Sequence, residues 1–265
     1  MIILAKVVPL FSGSKGNSYF IGSSGEGVLI DVGRNCKQIE NALALNDIEI
    51  GSIGAVFITH EHTDHCNGLR VFAKKHKLKI YASEGTLEAM SEKKLICPEN
   101  DIYVIEDKIS VGNMQVERCD TPHDARESCC YKVYTSDDRK AVIATDMGVM
   151  TEDVRKLISS SDFAVVESNH DVRMLKLGGY PYIVKQRILS DKGHLCNDAC
   201  AEELAGFIKS GNVRLMLGHI SENNNTPELA FNTSVNELSR LGIKHGIDYT
   251  LETVPAETNG KSVIF

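Results

Sequence analysis

The stretch Thr59-His60-Glu61-His62-Thr63-Asp64-His65 holds three of the nine histidines of the chain within six consecutive positions. It comes directly after an apolar run at residues 55–59, which predicts a strand. In an extended segment, side chains two positions apart point the same way, so His60 and His62 can bind one cation together. After a turn, Asp64 and His65 can face a second cation. Imidazole and carboxylate groups suit zinc, manganese or iron, so the stretch predicts a metal site more strongly than an incidental polar loop.

Four further polar residues share one feature, which is that each closes a predicted strand or follows it closely. They are Asp31, His123, Asp146 and His219. Alone, each would be more typical of a helix cap or a turn. Ligands in α/β folds bind just beyond strand ends, however. Together with the histidine stretch, these residues supply enough donors for two metal ions.

The composition is that of an ordinary globular protein. The chain has 265 residues, and its 29 Lys and Arg against 36 Asp and Glu give a net charge of −7. This balance argues against a broad basic surface for indiscriminate nucleic-acid binding, but it is compatible with a nuclease that has a local basic strip. The eight cysteines form no Cys-x-x-Cys pair, and no apolar run is long enough to cross a membrane. We therefore expect reduced thiols and a cytoplasmic protein.

Short β-rich runs alternate with helical patterns along the chain, and no linker, repeat or low-complexity tract divides it. We expect one α/β domain over residues 1–265, with sheets that are not purely parallel. Strands are predicted at residues 2–8, 18–21, 27–31, 55–59, 79–82, 102–105, 114–118, 130–135, 141–145, 163–167 and 213–217. Helices are predicted at residues 36–45, 68–77, 86–91, 151–159, 180–190, 198–209 and 227–241.

The order Asp31, His60-x-His62-x-Asp64-His65, His123, Asp146, His219 resembles the metallo-β-lactamase superfamily, and the match spans nearly the whole chain. The resemblance implies an αββα sandwich of two mixed β-sheets flanked by helices, with two divalent metal ions at one edge. It implies that His60, His62 and His123 hold one ion and that Asp64, His65 and His219 hold the other. Asp146 would bridge both ions, and Asp31 would support the ligand loop.

Finer features within this superfamily favour phosphodiesterases. β-Lactamases tend to have a cysteine at the position of Asp146, and too few residues separate Asp146 from His219 for the inserted β-CASP domain of other nucleases. Glu167 and His194 resemble a proton-relay pair of the ribonuclease Z branch. Residues 12–17, 167–171, 193–197 and 219–228 are similar to the WalJ/YycJ-type group, regarded as bacterial 5′-to-3′ DNA exonucleases. Cys196 departs from the serine expected there, and Cys129-Cys130 indicates no function.

The resemblance therefore implies a dinuclear metal-dependent phosphodiesterase that degrades DNA, in which a hydroxide bridging the metals attacks phosphorus. The catalytic residues would be Asp64, Glu167 and His194, with His194 as a general acid oriented by Glu167. The metals would be zinc or manganese, with iron as a third candidate. One alternative is a hydrolase of small esters, thioesters or cyclic phosphodiesters. Another is a non-catalytic protein on the same fold, against which the complete ligand set argues.

Substrate contacts are predicted from local charge and polarity. Residues 65–83 and 172–190 include several basic residues and no acidic ones, so either stretch could approach a phosphodiester backbone. Ordinary solvated helix faces are the alternative. The candidate contacts are Ser14, Asn17, His170, Lys185, Arg187, Asn224 and Asn225. A hairpin turn is the alternative for residues 12–17, and a helix cap is the alternative for the last two asparagines.

Overall fold

The computed structural model describes residues 4–265, which cluster into two compact units. The first unit comprises residues 4–120, Ala125–Ala141 and Pro255–Phe265. The second comprises Thr121–Asp124 and Val142–Val254. Each unit combines strands with helices. The expectation of one domain over the whole chain stays a prediction.

A mixed sheet forms the base of the first unit. Its strands are β1 (Lys6–Phe11), β2 (Ser18–Ser23), β3 (Glu26–Ile30), β4 (Ile53–Phe57), β5 (Lys79–Ala82), β6 (Asp101–Val104) and β14 (Val263–Ile264). Their order is β14-β1-β2-β3-β4-β5-β6, antiparallel as far as β3 and parallel from β3 to β6. The carboxyl ends of β3 and β4 therefore lie at the same edge, where α/β folds place ligands.

The helices of the first unit follow from the capping and apolar pattern of the sequence. They are α1 (Cys36–Leu45), α2 (Thr63–Cys66), α3 (Leu69–His76) and α4 (Glu84–Glu92), with a 3₁₀ turn at Ile50–Ser52. In α1, the Asn35 side chain accepts a hydrogen bond from Gln38 N at 3.0 Å, and the i, i+3, i+4 set Ile39, Ala42 and Leu43 is buried. Three antiparallel strands complete the unit: β7 (Lys108–Val111), β8 (Met114–Asp120) and β9 (Cys129–Tyr134).

The strand β10 (Lys140–Ala144) leads the chain into the second unit. There β11 (Phe163–Glu167), β12 (Arg214–Gly218) and β13 (Thr250–Thr253) pair in parallel in that order. All five residues of β11 are buried, as expected for a strand that is covered on both faces. The helices are α5 (Glu152–Ser159), α6 (Val172–Leu177), α7 (Tyr182–Ile188), α8 (Asn197–Lys209) and α9 (Pro227–Arg240).

The sequence-based elements differ from the observed ones mainly in short segments. The prediction omits α2, α6, β7, β13 and β14, each six residues or fewer, because such segments carry too few positions to show a period. The strand predicted at residues 2–8 begins at Lys6 and continues to Phe11, and residues 2–3 lie outside the described residues. Its pairing with β2 is irregular between Pro9 and Phe11, since proline cannot donate to a neighbouring strand. Within residues 4–265, no helix has the length and apolar character to cross a membrane.

Candidate functional site

In the first unit, Asp31 and the histidine stretch lie together at the carboxyl ends of β3 and β4. The two strands pair in parallel with Ile30 opposite Phe57, so the residues that follow each strand are neighbours. His60 and His65 are fully buried and Asp31 is 1% exposed. We use the term motif cluster for Asn17, Asp31, Thr59, His60, His62, Asp64 and His65.

Asp31 and Thr59 orient the two buried histidines. The Asp31 carboxylate accepts hydrogen bonds from Thr59 N at 2.9 Å, Thr59 Oγ1 at 2.9 Å and His65 Nδ1 at 2.8 Å. Because the Thr59 hydroxyl gives its proton to Asp31, its oxygen can accept one from His60 Nδ1, 3.0 Å away. Both rings then carry the lone pair on Nε2, as metal-binding histidines do when a partner accepts the Nδ1 proton. Burial raises the pKa of Asp31, and the hydrogen bonds from His65 and Thr59 offset only part of that effect.

His60 and His62 offer two nitrogen donors to one position. His60 Nε2 lies 3.1 Å from His62 Nδ1, close to the spacing of about 3.3 Å between two nitrogens on one tetrahedral zinc ion. Asp64 is partly exposed, and its Oδ2 lies 3.6 Å from His65 Nε2. These imidazole and carboxylate donors fit a divalent metal ion.

Asn17 supports the motif cluster from within. Its Oδ1 accepts a hydrogen bond from Gly13 N at 2.8 Å, and its backbone N donates to Asp64 O at 2.7 Å. Its Nδ2 lies 3.1 Å from His65 Nε2, and the residue is fully buried. Asn17 therefore positions the motif cluster, and its contact with substrate stays a prediction. Ser14 lies exposed in the same loop, and its contact with substrate stays a prediction.

Glu167 is the centre of a second group, in the second unit. It is fully buried at the end of β11, and its Oε1 accepts hydrogen bonds from Nδ1 of His194 and Nδ1 of His219, each at 2.8 Å. Its Oε2 accepts from the backbone N–H of Met147 at 3.0 Å and of Leu195 at 3.1 Å. Four donors thus hold one carboxylate. We use the term Glu167 cluster for His123, Asp146, Glu167, His194 and His219.

Within the Glu167 cluster, the donor atoms are close enough to surround a cation. One ligand atom from each of Asp146, Glu167, His194 and His219 lies within 4.8 Å of the others. Asp146 Oδ1 is 3.3 Å from His219 Nδ1 and 3.9 Å from His123 Nε2. Because His219 donates its Nδ1 proton to Glu167, the lone pair of its ring is on Nε2. The donors of this cluster likewise fit a divalent metal ion.

Backbone contacts and burial set the state of His123. Its Nδ1 lies 3.0 Å from Gly193 O, which accepts the proton, and its Nε2 lies 3.2 Å from Asp124 Oδ1. Burial lowers the pKa of His123, so the ring stays in the neutral form that binds metals. For Glu167, burial alone would raise the pKa, but His194 and His219 hold it below its ordinary value. A carboxylate that stays charged is a lasting acceptor for both rings.

Three residues of the two clusters have left-handed backbone conformations. The φ angles are 63° at Asp31, 61° at Asp146 and 51° at His219, and each residue lies within two positions of a strand end. Residues other than glycine seldom adopt this region, and such conformations cost about 1–3 kcal/mol each. They concentrate at functional sites, where the surrounding structure holds a side chain in a required direction.

Four of the expected substrate contacts are buried: Asn17, His170, Asn224 and Asn225. His170 is 1% exposed, and burial lowers its pKa to about 4. Asn225 is also buried, with its Nδ2 donating to Ser168 O at 3.0 Å and Asn169 O at 3.1 Å. Its Oδ1 accepts from Thr226 N at 2.9 Å. Since its amide is satisfied by protein groups, Asn225 supports its loop, and its contact with a substrate phosphate stays a prediction.

The other expected contacts differ in accessibility. Asn224 is buried, and its backbone O accepts from Asp171 N at 2.9 Å. Lys185 and Arg187 lie on α7, which buries none of its residues. Lys185 Nζ donates to Lys176 O at 2.8 Å, and an Arg187 guanidinium nitrogen lies 3.0 Å from an Asp124 carboxylate oxygen. Lys185 and Arg187 are therefore accessible to an external polyanion, as is Ser14.

Two residues of the site are absent from the sequence-based set of site residues. Thr59 links Asp31 to both buried histidines, and its position directly before the histidine stretch was its only signal. Asp124 lies beside His123 and pairs with Arg187, and its adjacency to a predicted ligand was likewise the only signal.

Comparison with known proteins gives consistent matches. The profile of the Metallo-beta-lactamase superfamily matches residues 12–178. A Streptococcus pneumoniae serotype 2 protein named exodeoxyribonuclease WalJ is 34% identical over 253 residues, or 94% of each chain. Exodeoxyribonuclease YycJ of Bacillus anthracis is 36% identical over 223 residues, or 83% of this chain and 84% of that protein. Among solved structures, the metallo-beta-lactamase fold protein YhfI from Bacillus subtilis aligns with a TM-score of 0.71 and 14% identity, covering 98% of this chain and 99% of YhfI.

The match to YhfI carries the fold alone, because the identity is low. It agrees with the predicted fold class, which is confirmed: residues 4–265 form two mixed β-sheets of seven strands flanked by helices. The superfamily profile covers more than half of the chain, and the match to WalJ extends over nearly all of it. This chain therefore belongs to the metallo-β-lactamase superfamily.

Proposed function

We propose that this protein is a metal-dependent DNA exonuclease that acts from the 5′ end. Both relatives described above are named exodeoxyribonucleases. Within the chain, the proposal rests on the pair Glu167–His194, in which a fully buried carboxylate lies 2.8 Å from a partly exposed imidazole, beside Asp146 and His219. Such a pair can deliver a proton to a leaving oxygen, which the hydrolysis of a phosphodiester requires.

The proposed ligand set draws on both clusters. His60, His62 and His123 would hold one divalent ion, and Asp64, His65 and His219 would hold a second. Asp146 would bridge the two ions. The order of these residues along the chain is that of the superfamily motif. The Nδ1 partners of His60, His65, His123 and His219 support the assignment, because they place the lone pair of each ring on Nε2. Five imidazoles and two carboxylates suit zinc, manganese or iron.

The chain's own residues would then carry the proton and position the reactants. Divalent ions at such sites lower the pKa of a coordinated water and neutralise charge on phosphoryl oxygens. Glu167 accepts a hydrogen bond from Nδ1–H of His194, and in the imidazolium form of the ring the Nε2–H would be the proton given to the leaving oxygen, which leaves a neutral ring. Asp64, which is partly exposed, would orient the attacking water by accepting a hydrogen bond from it.

End-labelled DNA tests this proposal directly. Incubation with and without a 5′ phosphate, in Mn²⁺, Zn²⁺ or Mg²⁺, should give a ladder that shortens from the 5′ end. A chelator should abolish the ladder and added metal should restore it. Internal cuts would reject exonuclease action. Turnover of a small chromogenic phosphodiester without any loss of DNA would favour the hydrolase of small substrates and reject the proposal.

Replacing His194 by alanine should slow DNA hydrolysis about 10²-fold, the usual scale for a general acid, with metal content retained. Hydrolysis of a p-nitrophenyl ester of thymidine phosphate should fall much less, because its leaving group needs no proton. The ratio of the two rates is the measurement. His245→Ala, at an exposed histidine outside the site, is the matched control. Equal losses on both substrates would remove the role of general acid from His194.

Replacing Lys185 by glutamine should raise the apparent KM for DNA and weaken its dependence on salt. Each lost phosphate contact lowers the slope of log affinity against log salt by about 0.7–0.9. Steady-state assays at several salt concentrations measure that slope. Lys209→Gln removes an exposed lysine at the end of α8 and should leave the slope at its wild-type value. A Lys185 variant with the wild-type slope would exclude this lysine from the DNA surface.

A further inference from the structure

Helices α6 and α7 display large apolar side chains in solvent. Leu177 is 76% exposed, Tyr182 is 76% exposed and Ile183 is 75% exposed. None of the seven residues of α7 is fully buried, and Val184 and Ile188 are its partly buried apolar residues. Exposed apolar groups that cluster on one segment mark sites of interaction more often than isolated ones do. We use the term α6–α7 surface for residues 172–190.

The charge of this surface favours a polyanion. Residues 172–190 include Arg173, Lys176, Lys185 and Arg187 and no aspartate or glutamate. Because Arg187 is paired with Asp124, the positive charge of the surface comes mainly from Arg173, Lys176 and Lys185. A two-fold contact between copies of this chain would bring the same basic side chains against each other, since such an interface uses one patch twice. Like charges so placed repel. A nucleic-acid strand offers the opposite charge and also the flat bases on which aromatic side chains stack.

Backbone hydrogen bonds connect the end of the same segment directly to the Glu167 cluster. His194 N donates to Ile188 O at 3.0 Å, and Gly193 N donates to Ser190 O at 2.8 Å. Gly193 O in turn accepts from His123 Nδ1 at 3.0 Å. A Cβ at Gly193 would lie 2.2 Å from Ile188 O, so glycine permits this close approach. A DNA strand bound on α7 would therefore be separated by only a few residues from His194 and His123, two histidines of the Glu167 cluster.

We propose that the α6–α7 surface binds single-stranded DNA, with the Tyr182 ring stacked on an unpaired base. Leu177 and Ile183 extend the apolar contact, and Lys176 and Lys185 neutralise the phosphates. The strand must be unpaired, because the faces of bases within a duplex are already stacked on each other. This inference rests on the proposed function and adds to it the form of DNA that the enzyme holds during hydrolysis.

The test compares a long single strand with a dinucleotide in Tyr182 variants of the full chain. Tyr182→Ala should raise the KM for the long strand about 10-fold, the scale of one lost base–aromatic stack, with kcat within about twofold of wild type. The specificity ratio of long strand to dinucleotide should fall accordingly. Tyr182→Phe keeps the ring and should retain most of the affinity. Ile247→Ala removes another exposed apolar side chain, 78% exposed in the wild type, and should have no effect.

The outcomes separate this inference from the proposed function. Wild-type degradation of DNA together with an unchanged KM in Tyr182→Ala would overturn the inference and leave the function intact. No degradation of DNA by the wild type would overturn both. Sedimentation velocity adds a third arm. A wild-type dimer that Tyr182→Ala converts to a monomer, with equal losses on the long strand and the dinucleotide, would assign the surface to a second copy of the chain and overturn the inference.

Discussion

Replacing Glu167 by glutamine should slow DNA hydrolysis about 10³-fold and weaken metal binding as well. The carboxylate accepts hydrogen bonds from two histidine rings on Oε1 and from two backbone N–H groups on Oε2. A glutamine amide accepts at one end only, so either both histidines or both backbone groups face a donor. Each buried N–H group that loses its acceptor in this way costs about 1–3 kcal/mol. Since Glu167 holds both the proposed acid and a proposed ligand, the loss should exceed the ~10²-fold expected for His194→Ala alone.

Two measurements on the same protein check this expectation. Metal content after dialysis should fall in Glu167→Gln, whereas His194→Ala should keep its metal. The double variant should be little slower than Glu167→Gln, because residues that act through one another are not additive. Glu202→Gln, an exposed glutamate on α8, is the control for a change of charge. Full metal content and a wild-type rate in Glu167→Gln would reduce the residue to a structural role.

The sharing of Glu167 by two histidines shows how far the sequence alone could lead. The pair Glu167–His194 was predicted from its resemblance to a known branch. The bond to His219 depends on the register of β11 and β12, which places Glu167 opposite Gly218. Register between strands separated by some fifty residues follows from packing and leaves no local signal in the sequence. The strand ends could thus be located from the sequence, but not which of them share an acceptor.

The buried asparagines show that the orientation of a loop side chain also cannot be predicted from the sequence. Asn17 is expected to contact substrate as part of a candidate phosphate nest at residues 12–17, and Asn225 as a hydrogen-bonding partner of a phosphate. Both are buried and hold loops together through backbone groups. The sequence of a loop does not reveal whether its polar side chain points outward or closes the loop, since either use satisfies the same amide. The left-handed conformations at Asp31, Asp146 and His219 were equally invisible, because aspartate and histidine follow strands in many ordinary turns.

Replacing Gly33 by alanine should disrupt the motif cluster, although Gly33 is not itself a proposed ligand. A Cβ at this position would lie 1.8 Å from Asp64 O and 2.5 Å from Asn17 N. Both contacts are backbone atoms, so no side chain can turn aside. The strand end carrying Asp31 and the loop carrying Asp64 and His65 must separate instead. We expect a loss of about 3 kcal/mol in the free energy of unfolding, at the upper end of the range for added bulk in a packed site.

Thermal unfolding and metal analysis measure the two consequences of Gly33→Ala. A loss of that size should lower Tm by roughly 6–12 °C in a chain of this length. The metal bound by the purified variant should fall with it, because displacement of the Asp64 loop moves proposed ligands away from His60. Gly51→Ala is the matched control, since a Cβ there meets no atom within 4 Å. Equal Tm and equal metal content in Gly33→Ala and Gly51→Ala would contradict this prediction. The motif cluster would then not depend on the close approach of Gly33 to the Asp64 backbone.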